Sequence, residues 1–291
     1  MTYNNCYQQV SDIRLALNDW SPEKVQGEDT SGSIRNEYIL SKLNNAQRFI
    51  YNAIFLRQPG IFFTTTTISG VNSVYTLPWD FGTLEEFRDE NGYKVYPIQP
   101  SQMKVNDSTG FDFFYRRQGN TLVLDKAGVT TGYTLSYYTR PRDIHIGTCA
   151  SGSAGVLTMS TDAKKIDDYY NGMSIENVTR DYVDVITDYV GSSRIATVTT
   201  TPTVNDYYAL VSELPEPFHY LITMKAILDT STEHPNAQVK SEVPDVATFN
   251  EMLLDTLRTF AGSSRDQNVE DIFCDFEPSP RISSSTIDYG D

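Results

Sequence analysis

The chain has 291 residues and a mass of 32.8 kDa, with 39% hydrophobic and 12% aromatic residues, among them 19 tyrosines. It can bury a core without a disulfide or metal staple, is too apolar for a disordered chain, and has no run near the ~20 apolar residues of a membrane span. The formal net charge of -15 opposes DNA binding, which draws on basic side chains at phosphates, so the acidity serves either solubility or a wall past which DNA slides.

In chain order, a helix is predicted over 5–17, where Cys6, Val10, Ile13 and Leu17 recur at helical spacing. Asn18-Asp19 and Ser21-Pro22 end it. After a polar connector, Ser33 is the predicted N-cap of a second helix reaching about Leu56. Its apolar stripe is Ile39, Leu43, Ala46, Ile50 and Ile54, and Gln58-Pro59-Gly60 stops it. From Ile61 the composition turns to β: Ile61-Phe62-Phe63 and Thr64 to Thr67, then Gly70 and Asn72 as turn residues before Val74-Tyr75-Thr76-Leu77. Further strands are predicted over 93–98 and 111–117. In 118–144, Leu122/Leu124 and Tyr133/Leu135/Tyr137 alternate at period two and are predicted to pair as a hairpin.

Residues 145–213 are dense in Gly and Ser, and short β runs punctuated by Asn171-Gly172 and Gly191-Ser192-Ser193 suggest a small barrel or sandwich. This segment is expected to form a semi-independent inserted unit. Helix returns at Pro215-Glu216-Pro217, with Phe218, Leu221, Ile222, Lys225 and Leu228 facing inward. A last helix is predicted over 245–260, with Val246, Phe249, Leu253, Leu257 and Phe260 in register. Residues 263–291 are polar and acidic around the apolar Ile272, Phe273 and Phe276. They are expected to form an extended arm that orders on meeting a partner.

No catalytic, metal or cofactor signature stands out. His145, His219 and His234 are isolated, and His219 is expected to be a packing or capping residue. The run Ser151-Gly152-Ser153-Ala154-Gly155 lacks the context of a nucleophile elbow and is expected to be a loop. Asp162, Asp167, Asp168 and Glu176 match no calcium loop and are expected to be solvated surface. Cys6, Cys149 and Cys274 are scattered and odd in number, which fits free thiols in a reducing compartment such as a cytoplasm. The first residues, MTYNNCYQQVSDIR, lack the basic and apolar regions of a signal peptide. Tyr169, Tyr170, Tyr182, Tyr189, Tyr207 and Tyr208 offer a stacking or interaction surface, or else fill a small core. Tyr169, Tyr170, Tyr182 and Tyr207 are the candidates for the surface of the inserted unit.

Several stretches resemble landmarks of the head-to-tail adaptor proteins of tailed bacteriophages, especially the tail tubular protein A type. These are the helix ending at Pro59-Gly60, Val74-Tyr75-Thr76-Leu77-Pro78-Trp79-Asp80-Phe81, Gly119-Asn120-Thr121-Leu122 leading to Tyr137-Tyr138-Thr139-Arg140-Pro141, and the helix after Pro217. The likeness covers residues 5–144 and 217–260. Within the insertion, Tyr169-Tyr170-Asn171-Gly172-Met173, Ile186-Thr187-Asp188-Tyr189 and Ser193-Arg194-Ile195-Ala196-Thr197-Val198 look like a unit of other phage structural proteins, which the shortest adaptors lack.

The resemblance implies an α+β chain: terminal helices (1–60 and 214–262) in one bundle, a small antiparallel β domain (61–144), an inserted β-barrel or sandwich (145–213) and the acidic arm (263–291). It further implies a virion structural protein without enzymatic activity or cofactor. The protein would form a homo-oligomeric, dodecameric ring between the portal protein and a tail nozzle or tube protein, assembled in the host cytoplasm, with DNA passing through its channel and no membrane involved. Ile272, Phe273 and Phe276 are then the candidate portal or neighbour-subunit contacts. A tail-associated receptor- or carbohydrate-binding structural protein is the alternative.

Overall fold

The computed structural model describes residues 5–19, 25, 34–71, 73–97, 114–124, 132–233 and 245–261. Helix α1 (Cys6–Ala16) starts at Asn5, whose side chain accepts from the Gln8 N–H at 2.8 Å. It buries Cys6, Val10 and Ile13, as their spacing requires. Arg14, fully buried, anchors the entry to the next helix. Its guanidinium donates to the Ile34 carbonyl and the Asn36 side chain and pairs with Asp19 at 2.6 Å, pinning the start of helix α2 (Asn36–Phe55). The predicted stripe Ile39, Leu43, Ala46, Ile50 and Ile54 is buried throughout. The cap, however, is Arg35 and makes no side-chain bond; Ser33 lies outside the described residues.

A 3-10 turn, Pro59–Phe62, occupies the place where the sequence predicts the β run to begin, because Pro59 fixes a helical φ. Strands β1 (Phe63–Val71), β2 (Val74–Thr76), β3 (Phe81–Arg88), β4 (Tyr96–Pro97), β5 (Phe114–Gln118), β6 (Thr121–Leu124) and β7 (Gly132–Thr139) form one sheet in the order β3-β7-β1-β2-β6-β5-β4. The Val95 N–H donates back to the Phe87 carbonyl at 2.8 Å and Arg88 bridges Lys94, so the sheet curls into a nearly closed barrel. Its core is aromatic: Tyr75, Phe87, Tyr115 and Tyr133 meet ring against ring at 5.0–5.9 Å.

The expected hairpin of Leu122/Leu124 with Tyr133/Leu135/Tyr137 does not form. The alternation is right, since all five residues are buried, but β6 pairs with β2 and β5, and β7 with β1 and β3. Period two fixes which face goes inward, not which strand lies alongside.

Eight short strands come next, in two four-stranded sheets: β8 (Ile146–Thr148), β9 (Ser151–Ser153), β10 (Val156–Thr158), β11 (Ser174–Asn177), β12 (Tyr182–Val185), β13 (Asp188–Val190), β14 (Ile195–Thr197) and β15 (Tyr207–Leu210). The sheet orders are β13-β14-β10-β9 and β12-β11-β15-β8. The Ser/Gly run expected as a loop is instead strand β9, folded onto β10 through Gly155 at φ +75°, where glycine alone turns without strain. A 3-10 turn, Glu216–Phe218, then leads into helix α3 (His219–Glu233). Helix α4 (Val246–Phe260) closes the described chain and is capped by Asp245, which accepts from the Thr248 N–H at 2.8 Å. The Phe49–Phe249 and Phe218–Phe260 rings join α4 to α2 and to the start of α3.

The molecule therefore has two cores. One lies inside the barrel. The other runs without a break from Ile13 and Ile50 through Ile222 and Leu253 into Tyr170, Ile175, Tyr189 and Tyr208 of the two small sheets. The bridge of Asn5 to Val211 and the bond from its side chain to Glu176 at 2.5 Å tie α1 to the edge of this body. No helix among the described residues is long and apolar enough to cross a membrane.

Candidate functional site

Between the two cores runs an extended connector, 139–145, and α2 grips it along one face. Tyr51 Oη donates to the Thr139 carbonyl at 2.6 Å and Gln47 Nε2 to the Arg142 carbonyl at 2.6 Å. Asn44 both donates to the Ile144 carbonyl and accepts from its N–H, while Arg48 pairs with Asp143 at 2.5 Å. Positions 44, 47, 48 and 51 share one helical face by their i, i+3 and i+4 spacing, so one rigid element holds four successive points of the chain. Gln47 Oε1 also accepts from Ser212 Oγ at 2.6 Å, which adds the exit of the small sheets to the same grip.

Arg142 is the centre of this junction. Its backbone N–H and Nε donate to one oxygen of Glu213 at 3.2 and 2.8 Å, and Nη2 pairs with the other. Nη1 donates to the Asn171 carbonyl, and the guanidinium lies 5.0 Å from the Trp79 ring centre. Trp79 comes from the turn between β2 and β3 and packs on Tyr169 at 5.1 Å. Tyr169 Oη in turn accepts the Asp143 N–H at 3.0 Å. Burial alone would raise the Asp143 carboxyl, yet Lys164 at 2.9 Å and Arg48 together hold it below the usual carboxylate range. Barrel, helices and small sheets thus meet through one charged, hydrogen-bonded joint.

Elsewhere, His145, Ser160, Asp162 and Tyr208 cluster. His145 Nε2 is 2.9 Å from Ser160 Oγ, and the Asp162 carboxylate is 3.6 Å from the same nitrogen. In a nucleophilic triad the acid orients the base from its other nitrogen, so this set lacks that geometry. Ser160 Oγ instead donates to Asp162 at 2.6 Å and contacts Tyr208 Oη at 2.9 Å. The recess bounded by Leu157, Asn177, Tyr182, Asp184 and Tyr208 holds little more than a water-sized molecule.

The candidate residues fall in separate places. Tyr170 is 1% exposed and stacks edge-on to Tyr169 and Tyr189 at 4.8 Å, so it is a core residue, not a surface one. Its large apolar ring is more stable there than in water. Tyr169 is committed to the junction, while Tyr182 and Tyr207 stay half-buried on β12 and β15, with Tyr182 Oη accepting from Asn177 at 3.1 Å. Ile272, Phe273 and Phe276 lie outside the described residues, as do Cys274 and His234.

His219 is a packing residue with its Nε2 2.7 Å from the Leu214 carbonyl. Asp167 accepts from the Gly191 N–H and Asp168 from Asn171, and no group of acidic, His or Cys side chains among the described residues could hold a metal ion. Cys6 and Cys149 are buried, and burial pushes both thiols up. Sequence reasoning missed Gln47, Arg142 and Glu213; their partners sit 27 to 165 positions away, and no local pattern marks them.

No curated protein matches the chain. A family profile described as SU10 adaptor protein matches residues 1–160, which takes in α1, α2, the barrel, the gripped connector and the first three strands of the small sheets. Spanning more than half of the sequence, this match establishes that the chain belongs to the SU10 adaptor protein family, a phage adaptor and component of the virion.

Proposed function

We propose that the protein is a head-to-tail adaptor of the tail tubular protein A type, carrying residues 145–213 as an inserted β unit. In this reading it forms a dodecameric ring between the portal and a tail nozzle or tube protein, and lines part of the channel through which DNA leaves the head. The terminal helices would pack side by side as a bundle around the ring, and residues 263–291 would serve as the arm that reaches the portal through Ile272, Phe273 and Phe276. The protein acts by assembly rather than by catalysis and takes no cofactor.

The observation that carries this reading is the family match across α1, α2, the barrel and the connector gripped by α2. The charge distribution supports it. Residues 145–291 hold 23 acidic against 9 basic side chains, and residues 1–144 hold 15 against 14. A strongly acidic half offers DNA no counterion-releasing contacts, so it would pass without sticking.

The test is the mass and symmetry of the complex formed with the portal. Twelvefold symmetry is the expected result. Threefold symmetry would favour a tail-associated receptor- or carbohydrate-binding protein, and a subunit that stays monomeric with the portal present would overturn both.

A further inference from the structure

Among the described residues, strand β1 is paired on one side only over most of its length. Residues 63–69 pair with 132–138 of β7, whereas β2 takes up only Gly70 and Val71. Among the described residues no strand lies along the other side of 63–69. Val71 pairs with Val74, and because Ser73 and Leu77 turn their backbone groups to β6, Val74 turns its own to Val71, whose N–H and C=O therefore face β2. Alternation then turns the backbone groups of Phe63, Thr65, Thr67 and Ser69 toward that same side. The side chains of these four residues are exposed, and Thr64 and Thr66 opposite are half-buried.

Folded proteins guard such edges with charge, proline, a bulge or short length. The edge strands of the two small sheets follow that rule: β8, β9 and β13 have three residues and β12 has four. Residues 63–69, Phe-Thr-Thr-Thr-Thr-Ile-Ser, have none of these devices and are rich in β-branched side chains.

We propose that 63–69 is an assembly strand, extended in the particle by a strand from a neighbouring copy of this chain; the proposal rests on the ring reading above. Charge points to a second copy as the occupant. Two subunits of net charge -15 repel, and this strip is uncharged and lies in the nearly neutral half of the sequence, where like copies approach with least cost. A nucleic acid would need positive side chains that the strip lacks. Backbone pairing supplies the affinity in such contacts, and the alternate exposed threonines supply the fit.

The experiment compares amide hydrogen exchange and oligomer mass for the wild type, Thr67→Pro, and Thr65→Lys with Thr67→Lys. The proline removes an N–H that β7 does not use, and the lysines replace exposed side chains, so the subunit is expected to fold in both. The Thr65 and Thr67 amides are expected to exchange fast in the free subunit and about a hundredfold slower in the ring. Self-association of both variants is expected to weaken about tenfold or more. Amides already protected in the free subunit would mean that the chain covers its own edge, and would overturn the proposal. Rings in which these amides stay fast, or which form unchanged in the variants, would overturn it while leaving the ring reading intact. A wild type that forms no ring with the portal present would instead sink the ring reading itself.

Discussion

Arg142 and Glu213 meet as a fork against a fork: the backbone N–H, Nε and Nη2 of the arginine all reach the one carboxylate, across 71 positions of sequence. The pair ties the barrel to the body, because Arg142 follows the last barrel strand and Glu213 follows the last strand of the small sheets.

Removing the arginine side chain leaves the carboxylate with only the backbone N–H of position 142, and the Asn171 carbonyl without its donor. Arg142→Ala is therefore expected to lower stability by ~3 kcal/mol or somewhat more, the partial exposure of Glu213 keeping the loss near the low end of the range for buried pairs. Arg142→Lys should recover only part, since an ammonium cannot span both carboxylate oxygens and the Trp79 ring. Chemical unfolding of the three proteins checks this, and equal midpoints would show that the pair is incidental.

Ile50 and Leu253 lie in the shared core at 0% and 2% exposure. Truncating either to Ala should cost ~2–5 kcal/mol, with little relief from local collapse in so continuous a core. A cost near zero at both would mean that α2 and α4 do not hold each other in solution.

The sequence suggests that residues 145–213 could be excised, leaving folded helices. With Tyr170, Ile175 and Tyr208 in the same core as Ile50 and Ile222, the expected outcome is the opposite. Replacing 145–213 by a glycine linker should abolish cooperative unfolding of the helices, as read by circular dichroism during a thermal ramp. The aromatic barrel, with its own core, is the part expected to keep protected amides.

How much is legible divides along the range of the interactions. The stripe of α2, the Phe249/Leu253/Leu257 part of the α4 stripe and the alternation of Leu122/Leu124 and Tyr133/Leu135/Tyr137 are local, and the sequence carries them plainly, whereas Val246, expected in the α4 stripe, is 59% exposed. Strand β3 is not legible, because Phe-Gly-Thr-Leu-Glu-Glu-Phe-Arg contains two register shifts that break its alternation. The joint is invisible for a different reason: Gln47, Arg142 and Glu213 are ordinary polar residues until the fold brings them together, and a tyrosine such as Tyr170 reads the same whether it faces water or a core.

Burial holds the His145 and His219 imidazoles below their ordinary value, with Asp162 opposing the shift at His145 and the Leu214 carbonyl opposing it at His219. A depressed histidine takes up its proton more readily in the unfolded chain, so stability is expected to fall as pH drops below about 6.5. Asp184 and Asp206 behave otherwise. Burial raises them, but bonds from Thr200, Val185 and Thr199 to the first, and from Thr203, Asn177 and Arg180 to the second, outweigh it and hold both below the usual range. Their stabilising contribution is present above about pH 4 and is lost below it. Melting temperatures between pH 7.5 and 3 should show two successive losses; a flat profile from 7.5 to 5.5 would rule out the histidine contribution.

Gly191 offers a local test of the small sheets. A Cβ there would stand 2.4 Å from the Ile166 backbone, which has little freedom to retreat because Asp167 accepts the Gly191 N–H. Gly191→Ala is expected to cost ~1–3 kcal/mol, and a variant as stable as the wild type would show that the 166–168 turn yields.

The grip of α2 on residues 139–145 has a mechanical consequence. The helix and the connector run antiparallel from end to end, Tyr51 meeting Thr139 and Asn44 meeting Ile144, with Gln47 and Arg48 on residues 142 and 143 between them. A tension applied to the barrel along the chain therefore strains these bonds together, in shear, rather than peeling them one after another. Load would pass into the helix as a whole, and the barrel would follow the body like a handle fixed to a shaft.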